Sequence, residues 1–99
     1  MYVRVASFEG RDTSRVDELV ELIRENARQG PGIPGAKEVM TFIDRASGRS
    51  LGLTFFESEE ALREAAPAFE QMGSRIPAEL RGRRVSVDVY EVVLREALG

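Results

Sequence analysis

The sequence predicts an α+β sandwich of the ferredoxin-like class, with the order β-α-β-β-α-β and a four-stranded antiparallel sheet. Segments with alternating apolar and polar residues open the chain, form a pair in its middle and close it. Two segments with apolar residues at helical spacing lie between these strands, and short runs rich in Gly, Pro and Ser separate the elements. Because 99 residues suit one domain, we expect a single domain over residues 1–99.

The first strand and the first helix are predicted from the N-terminal third of the chain. Tyr2–Phe8 alternates as a strand. Ser14 is the expected helix cap, with Asp17 three residues later as a capping-box variant. The helix is predicted over Arg15–Arg28, because apolar side chains recur on one face at Val16, Leu19, Val20 and Ile23.

A turn and a hairpin are predicted next. Residues 30–35, GPGIPG, end the helix, and their glycine spacing is not that of a phosphate-binding loop, so we interpret them as a turn. Lys37–Asp44 and Ser50–Phe56 both alternate as strands. The short RASG segment between them, where Gly48 can take a positive φ, predicts that they pair as a hairpin.

The C-terminal half predicts a second helix and a last strand. Ser58 is the expected cap of a helix whose acidic first turn suits the positive end of the helix dipole. Pro67 lies inside this helix and predicts a kink or a break. RGRR, residues 81–84, is interpreted as a solvated connector, with contact to an anion or RNA as the alternative. Val85–Leu94 is predicted as the longest strand.

The composition excludes several classes of protein. Without cysteine or histidine the chain can form no disulfide, thiolate metal site, imidazole base or Ser–His–Asp triad. We expect no metal and no cofactor. A net charge of −3 argues against nucleic-acid binding, and no apolar run suits a membrane helix. The charged N-terminus does not resemble a signal peptide, so we expect a cytoplasmic protein without a membrane partner, although export is also compatible with the lack of cysteine.

A homodimer is predicted from the pattern of the strands. Two helices cover one face of a four-stranded sheet, yet large apolar residues alternate onto both faces, as Tyr90, Val92 and Leu94 do against the valines of the same strand. Burying each is worth roughly 1.5–3 kcal/mol, so about five of them rival the whole stability of a small domain. We expect two sheets to meet face to face; a monomer whose loops cover that face is the alternative.

Two polar residues inside the predicted strands raise the question of a site. Arg4 and Asp88 lie on strands that are antiparallel neighbours in this fold, so a cross-strand ion pair is expected, with Tyr2, Ser86 and Tyr90 nearby. The pair is interpreted as a structural contact that sets the register. The functional alternative is a polar site in which Asp88 accepts a proton and Tyr90 donates a hydrogen bond.

Three segments carry a family resemblance that covers nearly the whole chain: YVRVASF, PGIPGAKEVMTFID and GLTFFESEEALREA. The second contains a PG-x-x-G turn that leads into a strand. The third contains Phe56–Glu57–Ser58 at a step where Trp-Glu-Ser is common. With these segments the chain resembles the antibiotic-biosynthesis-monooxygenase-like family of dimeric α+β barrels.

The resemblance implies a pocket between the sheet and the helices. Some relatives oxygenate polycyclic aromatic substrates without a metal or organic cofactor, using Trp, Asn and Tyr, and others degrade haem with Asn, Trp and His. In this chain Ser7 lies near the position of the Asn and Phe56 at that of the Trp. No His exists to match the haem-degrading set, and the only asparagine is Asn26, on the first helix.

The functional hypotheses follow from the resemblance. The first is cofactor-independent oxygenation, or binding, of a small aromatic or apolar molecule. Asp88 or another carboxylate would then help to deprotonate a substrate held by Tyr90 and by the ligand-binding candidates Arg4, Ser7, Phe56 and Phe69. The alternative is a non-catalytic structural or stress-response dimer.

Overall fold

The computed structural model describes residues 1–28 and 32–99. Its elements follow the order β1 Tyr2–Glu9, α1 Val16–Arg28, β2 Ala36–Asp44, β3 Arg49–Phe56, α2 Glu59–Glu64, α3 Ala66–Arg75, α4 Ala78–Arg81 and β4 Arg83–Glu91. The strands form one antiparallel sheet in the order β2-β3-β1-β4. This arrangement confirms the predicted ferredoxin-like α+β class. No helix in the described ranges combines the length and the apolar character that a membrane span requires.

The strand register assigns each residue to one of two faces of the sheet. Residues directly opposite one another on antiparallel strands share a face. Arg4 lies opposite Thr54 on β3 and Val89 on β4. Its guanidinium carbon is 3.8 Å from the centre of the Phe69 ring on α3, so this face meets the helices. We call it the helix face, and we call the face that carries Val5 the open face.

The core lies between the helix face and the helices, in two clusters. Phe56, Leu62, Ala65 and Phe69 form the first, with the Phe56 and Phe69 ring centres 6.1 Å apart in an edge-to-face arrangement. Leu19, Ile76 and Leu80 form the second, which joins α1 to the C-terminal end of the α3–α4 segment. Aromatic pairs of this geometry add to the stabilisation from apolar burial. The two clusters anchor the helices at different points of the helix face.

The break predicted at Pro67 is confirmed. α2 ends at Glu64, Ala65 caps it, and α3 begins at Ala66 with the proline in its first turn, where a missing N–H donor costs little. The predicted cap of α2 is also confirmed, because the Ser58 hydroxyl accepts a hydrogen bond from the Ala61 amide at 3.1 Å. A further short helix, α4, follows Pro77 and was not predicted.

The turns agree with the sequence where the structure describes them. Gly48 has a φ of 77°, as predicted for the β2–β3 turn, and a Cβ there would lie 2.9 Å from the backbone oxygen of Arg11. Gly32 and Gly35 also have positive φ. The start of the GPGIPG segment, at residues 30 and 31, lies outside the described residues.

The prediction that Ser14 caps the first helix was wrong. A 3-10 turn at Thr13–Arg15 precedes α1, and Asp12 caps that turn. Its carboxylate accepts hydrogen bonds from the Ser14 amide at 3.0 Å and from the Ser14 hydroxyl at 2.6 Å. The Ser14 hydroxyl therefore acts as a donor to the cap. These two hydrogen bonds lower the pKa of Asp12.

The limits of the last strand were also predicted wrongly. β4 runs Arg83–Glu91 instead of Val85–Leu94. It starts earlier because Arg83 pairs with Glu9 of β1 and forms an ion pair with it at 2.6 Å. It ends earlier because its neighbour β1 begins at Tyr2, so the ladder has no further partner there apart from one hydrogen bond from the Val92 amide to the Met1 carbonyl.

Candidate ligand site between the sheet and the helices

A cleft of about 380 Å³ opens on the helix face, between β1 and α3. Its apolar wall consists of Phe8, Phe69, Met72 and Ile76. A narrower cavity of about 100 Å³ shares this wall and extends it to residues of α1 and β2, among them Ile23 and Thr41. Clefts of this size and lining are typical of sites for small molecules.

A second cleft, of about 350 Å³, lies beside the first and opens toward β4. The two clefts share Arg4, Phe69, Glu70 and Arg84. These four residues, which we call the shared wall, therefore stand at the boundary of both clefts. They come from β1, α3 and β4, so the fold alone brings them together.

The sequence positions the lining in two simple ways. Alternation along β1 directs Arg4, Ala6 and Phe8 to the helix face. Helical spacing gathers further members of the apolar wall along α3. Ala6 lies opposite Gly52 on β3, and two such small residues leave room above the sheet. The cleft thus exists because small residues lie on the sheet where large ones would fill the space.

Arg4 is the most unusual side chain of the cleft. It is half-buried, and among the described residues it makes no hydrogen bond or ion pair, while its guanidinium stacks on Phe69. Burial lowers the pKa of Arg4, and the charge of Arg84 lowers it further, whereas Glu70 raises it. The guanidinium has five N–H donors that cannot be deprotonated near neutral pH. An unpaired cation at a half-buried position can bind an anion.

Arg11 is satisfied in a way that Arg4 is not. Its Nε donates to the Ser50 hydroxyl at 2.8 Å and its Nη1 donates to the Leu80 carbonyl at 3.0 Å. The guanidinium carbon also lies 4.2 Å from the centre of the Phe8 ring. Burial lowers the pKa of Arg11. These contacts connect β1, β3 and α4, so Arg11 serves the structure at the edge of the cleft.

The charge of the cleft is opposite in sign to that of the whole chain. Four arginines, Arg4, Arg11, Arg81 and Arg84, line the first cleft with one carboxylate, Glu70. Glu70 is 3.7 Å from Arg84, and its side chain is largely exposed while that of Arg84 is half exposed, so this pair is weak. The chain as a whole carries −3. The cleft is therefore a local positive region on an acidic protein, which favours anionic ligands.

The structure divides the site residues that the sequence suggested. Arg4 and Phe69 lie together in the cleft. Phe56 is on the same face but is fully buried in the core beneath α2. Ser7 and Tyr90 lie on the open face with Asp88. The candidates therefore do not form one constellation within a protomer.

The prediction of an ion pair between Arg4 and Asp88 was wrong. Asp88 lies opposite Val5, one residue away from Arg4 in the β1–β4 register. Because successive strand residues point to opposite faces, this offset puts the guanidinium on the helix face and the carboxylate on the open face. The expected neighbours divide in the same way, with Tyr2 beside Arg4 and Ser86 beside Asp88.

The cleft also contains residues that sequence reasoning did not assign to a site. Phe8 was detectable, because it alternates with Arg4 along β1. Arg84 belongs to the RGRR segment, for which anion contact was only the alternative interpretation. Glu70 and Arg11 gave no such signal, because each is one charged residue among many.

A wider depression of about 520 Å³ lies on the open side of the sheet, near the β2–β3 turn. Ser7, Phe42, Leu51 and Ser86 are among its lining residues. Its charged members are all paired: Asp44 and Arg49 lie 3.7 Å apart, and Glu9 forms its ion pair with Arg83 at 2.6 Å. Because it lacks an unpaired buried charge and lies on a broadly apolar surface, we assign it to the surface of the open face and not to the ligand site.

No family model and no curated protein matches the sequence. Solved structures match nearly all of it. MhuD of Mycobacterium tuberculosis, a haem degrader solved with two haems in its active site, gives a TM-score of 0.68 at 21% identity, over 98% of this chain and 100% of that one. SnoaB of Streptomyces nogalater, a cofactor-independent oxygenase, gives a TM-score of 0.63 at 14% identity, over 95% of this chain and 94% of that one. A Deinococcus radiodurans protein assigned as an antibiotic biosynthesis monooxygenase gives a TM-score of 0.63 at 13% identity, over 100% of this chain and 99% of that one.

The chain has the antibiotic biosynthesis monooxygenase fold. The likeness confirms the family resemblance at the level of the fold, since the matches extend from the first strand to the last. At such low identities it carries no activity with it, because one fold hosts many functions. The function of a chain with this fold therefore depends on the residues of its own cleft.

The residues of the cleft do not fit a haem iron. Haem proteins hold the iron with His, Cys, Met or Tyr. This chain contains no His and no Cys. Among the described residues that line the first cleft, Met72 is the sole side chain of these types, and a thioether alone is a weak ligand. The lining of the cleft instead suits an organic anion.

Proposed function

We propose that the chain binds a small aromatic molecule in the helix-face cleft. One observation carries the proposal: an apolar wall of Phe8, Phe69, Met72 and Ile76 lies beside the guanidinium of Arg4, which hydrogen-bonds to no described residue. Ligand sites typically combine a mainly apolar lining with a few polar groups that orient the ligand. Aromatic ligands suit this wall because ring–ring contacts and cation–π contacts both favour planar groups.

The solved structures with the same fold support this proposal. One of them is described as holding haems in its active site and another as a cofactor-independent oxygenase. The first description names a planar aromatic molecule, haem, and the second names oxygen chemistry. The first supports a planar ligand for the present cleft, and the fold similarity by itself assigns no activity.

Cofactor-independent oxygenation is the finer form of the proposal. It requires a proton acceptor beside the substrate, and Asp88 is on the open face, away from the cleft. Glu70 is the carboxylate that lines the cleft. In this version an acidic aromatic substrate loses its proton to Glu70, and Arg4 stabilises the resulting anion. Oxygen uptake with a phenolic substrate would separate an oxygenase from a protein that only binds.

A homodimer completes the proposal. Large apolar side chains remain exposed on the open face, among them Met40 at 36%, Leu51 at 37%, Phe42 at 49% and Tyr90 at 57%. Several large apolar side chains exposed on one face are typical of an interface. We propose that the open faces of two copies pack against each other. The ligand cleft is on the opposite side of the sheet and stays accessible in such a dimer.

The binding proposal is tested with an uncharged two-ring probe, a naphthamide, by isothermal titration calorimetry. We expect it to bind the purified protein, and we expect Met72→Trp to abolish binding because the indole fills the cleft. Arg45→Trp, in the exposed β2–β3 turn, is the control and should bind normally. Failure of the probe to bind the wild-type protein, or unchanged binding to the folded Met72→Trp variant, would refute the proposal.

A further inference from the structure

We infer that the ligand of the cleft is an anion: an aromatic molecule whose acidic oxygen group, a carboxylate or a phenolate, is held by Arg4 together with Arg84. The inference rests on the proposed function and names the chemical class of its ligand. It assigns Arg4 the role of recognising the ionised group.

The hydrogen-bonding state of Arg4 is the first support. Its guanidinium carbon lies over the Phe69 ring, 3.8 Å from the ring centre, in a cation–π contact that uses no hydrogen-bond acceptor. The group carries five N–H donors in one plane. Since no described residue accepts from them, they are free to form the paired hydrogen bonds that guanidinium makes with carboxylates.

The second support is the arrangement of charge around Arg4. Arg84 is near enough for its positive charge to disfavour the charged form of Arg4. Two cations that face the same cleft repel each other, and an anion bound between them removes that repulsion. Glu70 meets this need only in part, because it is 3.7 Å from Arg84 with a side chain 73% exposed to solvent. A carboxylate or phenolate of the ligand would neutralise the charges of Arg4 and Arg84 more fully than Glu70 does.

The position of the shared wall fixes where the aromatic rings lie. Arg4 and Arg84 belong to the boundary of both clefts, so an acidic group bound there leaves its rings in one of them. The first cleft adds the ring of Phe8 to the shared ring of Phe69 and continues beneath α1. The second is bordered by exposed valines of the edge strand β4, Val87 and Val89. The first cleft therefore takes the rings.

The test compares two probes of equal shape and different charge, a naphthoate and the matched naphthamide. Hydrogen bonds to a charged group are worth about 1.5–3 kcal/mol, so we expect the wild-type protein to bind the naphthoate at least about tenfold more tightly. Arg4→Gln should abolish this preference, because it weakens naphthoate binding more than naphthamide binding. Arg4→Lys should keep part of it, because a point charge remains without the planar fork.

Arg45→Gln is the matched control, because it removes one positive charge from an exposed turn. It should leave the preference for the naphthoate intact. The thermal melting of each variant is measured in parallel, and Arg84→Gln provides a second test at the same subsite. A preference that survives both Arg4→Gln and Arg84→Gln overturns the inference.

The other outcomes separate the inference from the proposal on which it rests. Equal binding of the two probes to the wild-type protein overturns the anion subsite and leaves the aromatic site standing. If neither probe binds, both fail. When the naphthoate is preferred, a nitronaphthol distinguishes a phenolate ligand from a carboxylate ligand, because its phenolate form absorbs at a longer wavelength than its neutral form. A lowered apparent pKa of the bound nitronaphthol indicates that phenolates are accepted, and a preference for the naphthoate alone indicates a carboxylate.

Discussion

At the scale of single residues, two arginines beside one cleft have different chemical situations. Arg11 donates to Ser50 and to the Leu80 carbonyl and so links three elements. Arg4 is half-buried without such partners among the described residues. A buried charge without a partner opposes folding, whereas a hydrogen-bonded one leaves its partners unsatisfied when it is removed. The difference indicates that Arg11 stabilises the fold and that Arg4 is available for a ligand.

We predict opposite effects of the same substitution at these two positions. Arg11→Met should lower the free energy of unfolding by about 2–3 kcal/mol, because it leaves buried polar groups without a partner. Arg4→Met should leave the free energy unchanged or raise it by up to about 1 kcal/mol, because it removes an uncompensated charge. Urea unfolding followed by circular dichroism measures both values. A larger loss for Arg4→Met than for Arg11→Met would contradict the assignment.

The sequence identifies an unusual residue such as Arg4 but does not identify its neighbours in the sheet. Arg4 stands out in the sequence because a charge inside a strand is unusual. Its partner could not be deduced, because alternation orders the residues within each strand but does not determine how two strands align. A shift of one residue moves a side chain to the other face, as the positions of Arg4 and Asp88 illustrate.

At the scale of elements, the start of the first helix depends on Asp12. Its carboxylate accepts from both the amide and the hydroxyl of Ser14, and these bonds lower its pKa. A depressed carboxyl pKa contributes stability that is present above the unfolded pKa and is lost as pH falls through the folded pKa. The contribution of this cap is therefore largest at neutral pH and disappears in acid.

We predict that Asp12→Ala lowers the melting temperature at neutral pH and that the difference from wild type shrinks as the solution is acidified. Asp12→Asn is the control, because an amide oxygen also caps helices and does not titrate. Melting curves followed by circular dichroism across this pH range measure the effect. A difference between wild type and Asp12→Ala that stays constant into acid would argue against the cap.

Helices and strands with a clear repeat of apolar residues could be predicted from the sequence, and those without such a repeat could not. The break at Pro67 follows from the missing N–H of proline, and the structure confirms it. Helix α4 spans Ala78–Arg81, a single turn that is too short to show a helical period. It is nevertheless important for the cleft region, because Leu80 supplies both a core side chain and the carbonyl that Arg11 binds.

At the scale of the whole molecule, the fold was predictable because strand order follows from element order in a β-α-β-β-α-β chain. The cleft was less so. Its shared wall combines residues from β1, α3 and β4, which only a complete register and helix placement bring together. The family resemblance pointed to a pocket between sheet and helices. It did not identify Glu70 or Arg84, which lie outside the three segments that carry the resemblance.

The apolar open face leads to a prediction about assembly. Phe42→Asp should convert the proposed homodimer into a monomer, because a carboxylate would be buried between the two sheets without a partner. Val39→Asp is the matched control: it is on the same strand with a similar exposure, 44% against 49%, but on the helix face. Native mass spectrometry reports the mass of each species. A dimer that tolerates Phe42→Asp would place the interface elsewhere.

The central claim is that the ligand binds on the helix face. The chain has three methionines, of which Met72 lines the cleft and Met40 lies on the open face. The most direct measurement is an NMR titration of protein labelled with ¹³C in the methionine methyl groups, with the naphthamide and naphthoate probes. We predict that ring currents of the bound probe shift the Met72 methyl signal far more than that of Met40, which borders only the narrower cavity. A shift of the Met40 signal with Met72 unchanged would place the ligand on the open face and contradict the account.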